Sequence, residues 1–440
     1  MPLAKRLSYN IMKDLGAPLV MGLAAKSKKK RRPSSTDSPF GPRLKCAARL
    51  KKIMTRHYFL ARYAKGAKPV AWVTSGAPVE LLRAFDFYTI YPENHGALCG
   101  AQRLGPEYCG IAEDHGYHQD LCSYARIDLG HAFSGKTPVG KLPRPDLLFA
   151  SNNICQTVLY WYRVLAHRLK VPLLLFDTPY NFKDIRGEDI HYMADQLKEM
   201  IPVLEKVSGN NFKEETFTRV IHLAKDASLI WGQILETMQH KPAPMTIFDA
   251  FVHLAPIVSL RGLPVALEYY QTLLTELRER IGQGVGAIRD EQKRLMWDNI
   301  AIWYKVLDFS NLFAERGMNF VTATYTNAWA ETSSHMDVEK PFESMARTYS
   351  QVVLNNSLNH RLELMERLIK DYQVDGLVIH SAKSCKPYSV GQYDLKRILM
   401  DRLEIPSVII EADITDFRAF SEEQTRTRLE AFFETLEAFS

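Results

Sequence analysis

Twice along the chain a short apolar run ends in a polar turn and leads into an amphipathic helical stretch, and this grammar restricts the fold more than any other feature. Pro69-Val70-Ala71-Trp72-Val73 reads as a strand that stops at Thr74-Ser75-Gly76, with a helix over residues 77–85 whose first turn holds Pro78, where a missing N–H is tolerated. Residues 87–90 form the next strand, closed by Pro92. Residues 146–150 form another, which gives way to Ser151-Asn152-Asn153 and a helix from about 155 to 168. A strand at 171–176 then ends at Asp177-Thr178-Pro179. The rhythm returns later, with strands at 320–324, 376–379 and 407–410 and helices near 358–372, 392–402 and 422–438. Strands joined through helices run parallel, with helices on both faces of the sheet. Residues 184–313 follow the helical period instead, as in 190–204 and 212–238. These patterns predict an α/β protein. It has two doubly wound parallel-sheet domains of the Rossmann or flavodoxin kind, a helical insertion and a basic N-terminal leader. The expected divisions are a leader over 1–68, an N-terminal α/β domain over 69–208, and a helical segment plus C-terminal α/β domain over 209–440.

Charge separates the leader from the rest. Of the 56 Lys and Arg, 18 fall in residues 1–68 against only Asp14 and Asp37, a balance of +16; the remaining 38 bases meet 48 acids, a balance of −10. The densest run, Lys26 to Arg32, is followed by a Pro/Ser-rich linker and lacks interleaved aromatics, so it reads as a solvated tail or a dock for an acidic partner, with no nucleic acid expected. No run approaches the ~18 apolar residues a membrane span requires, so a cytoplasmic protein without a membrane span is expected. Six cysteines, none in a CxxC pair, argue against a disulfide framework.

In parallel sheets ligands collect beyond the carboxyl ends of the strands. Cys155 follows the strand at 146–150 and opens a helix. Cys385 follows the strand at 376–379, in His380-Ser381-Ala382-Lys383-Ser384-Cys385, and Cys122 sits in a polar turn before a helical stretch. At a helix N-terminus the dipole favours thiolate, and free N–H groups are available to a bound sulfide. Separations of 33 and 230 residues leave three readings open: buried structural thiols, zinc, or an iron–sulfur cluster.

Residues 120–130 (DLCSYARIDLG), 151–157 (SNNICQT), 173–182 (LLLFDTPYNF) and 375–413 (DGLVIHSAKSCKPYSVGQYDLKRILMDRLEIPSVIIEAD) resemble stretches of the benzoyl-CoA reductase/2-hydroxyacyl-CoA dehydratase family, and the resemblance runs from about Pro69 to the C-terminus. It implies that Cys122, Cys155 and Cys385 hold a [4Fe-4S] cluster, one iron of which keeps a position free of cysteine. It further implies that Ser75 and Glu93 act beside the cluster, bonding the thioester or shuttling a proton. The implied chemistry is radical: a low-potential electron forms a ketyl-type radical on a CoA thioester. The implied partners are a homologous cluster-bearing subunit, an ATP-hydrolysing [4Fe-4S] activator and a ferredoxin electron donor. Residues 85–96, the C-terminal segment and the length favour a benzoyl-CoA reductase subunit, the alternatives being a 2-hydroxyacyl-CoA dehydratase subunit and a non-catalytic electron relay. Asp177, Thr178 and Tyr180 are candidates for the acyl pocket. His95 and His380 read more readily as structural histidines than as proton donors, and Cys46, Cys99 and Cys109 as ordinary thiols. Tyr160-Trp161-Tyr162 reads as packing, and the sequence contains no Walker A or Rossmann glycine motif.

Overall fold

The computed structural model describes residues 3–26, 38–330 and 335–438. Within them lie two four-stranded parallel sheets. The first holds β1 (Val70–Val73), β2 (Tyr88–Ile90), β3 (Leu147–Ser151) and β4 (Leu173–Phe176) in the order β2-β1-β3-β4. The second holds β5 (Lys293–Asp298), β6 (Met318–Ala323), β7 (Gly376–Ala382) and β8 (Ser407–Ala412) in the order β6-β5-β7-β8. Both sheets thus follow one plan, in which the chain reverses direction across the sheet between its first and third strands. In register, Trp72 sits between Ile90 and Leu148, and Met296 pairs with Leu377. All of β1, β3 and β6 is buried, as helix-covered parallel sheets require.

The helical pattern expected through residue 313 is interrupted by β5, a central strand of its sheet. Its sequence, Lys-Arg-Leu-Met-Trp-Asp, has neither a β-branched residue nor alternating polarity. What makes it a strand is tertiary. Arg294, 2% exposed, donates to Met238 O at 2.6 Å and Tyr372 O at 2.8 Å and pairs with Glu291, while Asp298 accepts from Arg361 at 2.6 Å and Thr324 at 2.8 Å. The helix behind β1 is also shorter than expected, Val79–Ala84 with Pro78 at its N-cap.

One apolar core runs from the first sheet through the long helices Glu214–Glu236 and Pro264–Gly282 into the second sheet. A buried triad crosses it. Glu80 accepts from Arg261 at 2.7 Å and from the Tyr349 hydroxyl at 2.6 Å, tying the helix behind β1 to the insertion and to the helix Pro341–Ser350. In the leader, Tyr9 and Ala17 pack into a second core with Tyr58 and Leu60 of the helix Cys46–Ala64, while Leu3, Leu7, Ile11, Leu15 and Leu19 face outward. Of the Lys26–Arg32 run, residues 27–32 lie outside the described residues. No described helix is long and apolar enough to cross a membrane.

Candidate active site

Where the strands of both sheets end, their loops enclose one cavity of about 140 Å³. Ser75 enters it after β1, Glu93 after β2, Cys155 after β3, Ile300 and Trp303 after β5, Tyr325 after β6 and Cys385 after β7. Cys122 reaches it from the turn before the helix Ser123–Ser134. The structure therefore brings together the five residues that the resemblance assigns to the cluster and its proton chemistry, from segments up to 310 positions apart.

Each of the three thiols stands at the N-cap of a helix: Cys122 before Ser123–Ser134, Cys155 before Gln156–Leu169 and Cys385 before Lys386–Ser389. None of the three sulfurs takes a cap hydrogen bond, but the first-turn N–H groups of Ala125, of Thr157 and Val158, and of Tyr388 pull the pKa values of Cys122, Cys155 and Cys385 down. The expected depression of the thiol pKa is nonetheless absent. Burial pushes all three up, Cys385 to about 12, and the sulfurs raise one another further, since Cys385 and Cys155 both act on Cys122. Desolvation outweighs the helix dipole here, and a cation at the site is what would draw out the protons. Among the described residues no group of three or more His, Cys, Asp or Glu side chains is arranged to hold a metal ion, although the three thiols line the same cavity.

Hydrogen bonds fix each of the three segments. Ser123 N donates to Ser384 Oγ at 3.2 Å, joining the turn of Cys122 to that of Cys385, and Ser384 in turn donates to Asp413. Asn153, two residues before Cys155, donates to Gly76 O and Tyr349 O, both at 2.9 Å. Gly76 is required by this approach, because a Cβ there would lie 2.3 Å from Asn153 Oδ1.

Among the described residues, Glu93 is the only Asp, Glu, Lys, Arg or His that lines the cavity. Its Oε1 accepts from Ser75 N at 3.1 Å and Ser75 Oγ at 3.2 Å, whereas its Oε2 is buried with no partner. Burial raises its pKa to about 7, against the opposing pull of the Ser75 N–H. The carboxyl is thus poised to give and take a proton near neutrality. Ser75 caps no helix; its hydroxyl belongs to Glu93. Behind Glu93, Asp128 accepts from Trp161 Nε1 at 2.9 Å and is also raised to about 7 by burial.

Other candidates lie elsewhere. Asp177, Thr178 and Tyr180 do not line the cavity, because β4 is an edge strand whose end is displaced from the reversal point. Asp177 accepts from Tyr192, and the Tyr180 hydroxyl donates to Asn356 O. His95 and His380 are fully buried, bonded to Thr137 and Ile300 O, and lowered by burial to about 3 and about 4, so they are neutral at physiological pH. Cys99 and Cys109 pack with Tyr108 and Ile127, apart from the cavity. Of Tyr160-Trp161-Tyr162, Trp161 lines the cavity while Tyr160 is exposed. The aromatic walls Tyr124, Trp303, Tyr325, Trp329 and Tyr388 have no counterpart among the sequence candidates. Tyr325 follows β6 directly, where the strand-end rule would have found it, while Trp303 follows the strand that the sequence hides.

The family model described as "2-hydroxyglutaryl-CoA dehydratase, D-component" matches residues 74–436. The chain is 32% identical to the (R)-2-hydroxyisocaproyl-CoA dehydratase alpha subunit of Clostridioides difficile, over 84% of this chain and 90% of that one. It is 32% identical to the (R)-phenyllactyl-CoA dehydratase alpha subunit of Clostridium sporogenes, with the same coverage. It is 31% identical to a benzoyl-CoA reductase subunit of Thauera aromatica, over 84% and 89% of the two chains. With a match over most of its length and relatives in both branches, this chain belongs to the 2-hydroxyacyl-CoA dehydratase and benzoyl-CoA reductase family.

Proposed function

We propose that this chain is the acyl-CoA-binding, cluster-bearing subunit of a 2-hydroxyacyl-CoA dehydratase. The observation that carries this is the convergence of three thiols at helix N-cap positions with one half-satisfied, near-neutral carboxyl in a single cavity. The donor set suits a [4Fe-4S] cluster held by Cys122, Cys155 and Cys385: three soft ligands at helix N-cap positions that line one cavity. Such a cluster, when bound, supplies one-electron transfer and Lewis acidity toward a thioester carbonyl.

The protein's own part is proton handling and exclusion of water. The Ser75 N–H and hydroxyl hold Glu93 by Oε1 and leave Oε2 for the substrate. A protonated Glu93 gives its proton to the departing hydroxyl, and the carboxylate left behind accepts the one lost from the neighbouring carbon. Dehydration is proton-neutral over a cycle, which one enclosed carboxyl can serve. Ring reduction consumes two electrons and two protons and needs resupply from solvent. That balance ranks dehydration first. Benzoyl-CoA reduction is the second reading, favoured by the resemblance of residues 85–96 and the likeness to a reductase subunit.

The proposed assembly is a heteromer with a homologous subunit, an ATP-hydrolysing activator and a ferredoxin donor. In support of the first partner, the chain also matches the (R)-phenyllactyl-CoA dehydratase beta subunit, at 23% identity over 274 residues. Anaerobically purified protein should contain about four irons and as many acid-labile sulfides per chain, lost in Cys122→Ala, Cys155→Ala and Cys385→Ala and kept in Cys99→Ala. Zinc, or no iron in the wild type, would sink the cluster. With the complete complex, turnover of a 2-hydroxyacyl-CoA on catalytic amounts of electrons marks the dehydratase, and stoichiometric electron consumption with benzoyl-CoA marks the reductase.

A further inference from the structure

Resting on the acyl-CoA reading above, we infer that the acyl pocket takes an uncharged, apolar acyl group, aliphatic or aromatic, and rejects one that ends in a carboxylate. Beside Ser75 and Glu93, the apolar lining comes from the insertion and from the segments after β3 and β6: Ile154, Val158, Phe251, Leu254, Val258 and Trp329. No Lys, Arg or His lines the cavity among the described residues.

Among the described residues, two arginines lie behind aromatic rings of the lining, and both are engaged. Arg261 lies 4.3 Å from the Trp329 ring centre, and its donors go to Glu80 at 2.7 Å, Ile257 O at 3.1 Å and the Tyr349 hydroxyl. Arg361 lies 4.8 Å from the Tyr388 ring centre, paired with Asp298 at 2.6 Å and donating to Tyr388 O at 2.8 Å; its Nε has no partner, but its charge is matched. Neither guanidinium is among the lining residues. The one carboxyl that does line the cavity, Glu93, would repel a second carboxylate when ionised. A distal carboxylate entering here would leave water for apolar walls with no counter-charge, a change that protein interiors penalise heavily. An isobutyl or benzyl group gains from the same walls through burial of its surface.

The test is anaerobic titration calorimetry of the reconstituted holo-complex with 2-hydroxyisocaproyl-CoA, phenyllactyl-CoA, 2-hydroxyglutaryl-CoA and free CoA. The expected result is that the two uncharged thioesters bind at least about 100-fold more tightly than 2-hydroxyglutaryl-CoA, which binds no better than CoA itself. Equal or tighter binding of 2-hydroxyglutaryl-CoA would overturn the inference while leaving the acyl-CoA reading intact. Failure of all three thioesters to bind better than CoA would overturn both, and iron content measured on the same sample separates that outcome from loss of the cluster.

Discussion

Glu93 presents one carboxyl oxygen to two donors on Ser75 and leaves the other buried without a partner, so its proton is cheap to move and its charge is costly to bury. Its pKa is raised to about 7 in the folded chain, above the ordinary value of 4.5. Between those two values the folded state holds a proton that the unfolded state releases, so stability falls as pH rises through this window and the full cost is present above about 7. Glu93→Gln keeps an acceptor for Ser75 and removes that cost. In denaturant unfolding it should match the wild type near the lower limit and exceed it at alkaline pH by an amount on the order of 3 kcal/mol. The same variant should lose turnover by roughly 10²- to 10⁴-fold, the usual worth of a general acid–base group. Equal stability at both pH values would show that Glu93 is solvated in the folded protein.

The elements position these residues through a few contacts. Gly76 lets the turn after β1 touch the loop after β3, and Asn153 holds the two together. Gly76→Ala pushes a methyl group against Asn153 Oδ1 and Ile154, so it should shift the Cys155 segment relative to Ser75. The expected outcome is a destabilisation of about 1–3 kcal/mol, as overpacking costs, and reduced iron retention on reconstitution. Normal iron content and unfolding in this variant would mean the loop yields. β5 depends on Arg294, whose guanidinium meets Glu291 and three carbonyls in a setting 2% exposed. Arg294→Met leaves the Glu291 charge without its ion pair and should cost about 3–5 kcal/mol in chemical unfolding, part of which Glu291→Gln in the same chain recovers. A loss below about 1 kcal/mol would indicate that apolar neighbours alone hold β5.

At the scale of the molecule, two sheets of the same plan place their strand ends toward one cavity, and the helical insertion supplies part of the cavity's apolar lining. The Glu80–Arg261–Tyr349 triad links these parts, and Arg261 also backs Trp329. Arg261→Met removes the cation from a fully buried carboxylate. It should therefore destabilise by about 3 kcal/mol or more, a loss that Glu80→Gln in the same chain relieves. With Trp329 no longer backed, acyl-CoA affinity should fall while the iron content is unchanged. A parallel loss of iron would place the triad's influence on the thiols instead of the acyl wall.

Much of this was legible from local pattern. Seven of the eight strands announce themselves by apolar runs and turn residues, because a strand buried on both faces must be apolar throughout, and the strand-end rule together with the resemblance picked out Ser75, Glu93, Cys122, Cys155 and Cys385. β5 was hidden because what makes it a strand is a set of long-range partners for Arg294 and Asp298. Asp177, Thr178 and Tyr180 were misplaced because sequence shows that a strand ends but not whether it lies at the edge of its sheet. The thiol and carboxyl pKa directions likewise depend on burial, which no local pattern specifies. The sequence by itself determined the fold class and the residue types available for chemistry, since both follow from local periodicity and side-chain identity. Only the tertiary structure decided the half-satisfied state of Glu93 and the uncharged lining of the cavity, since both depend on which segments of the chain share one buried volume.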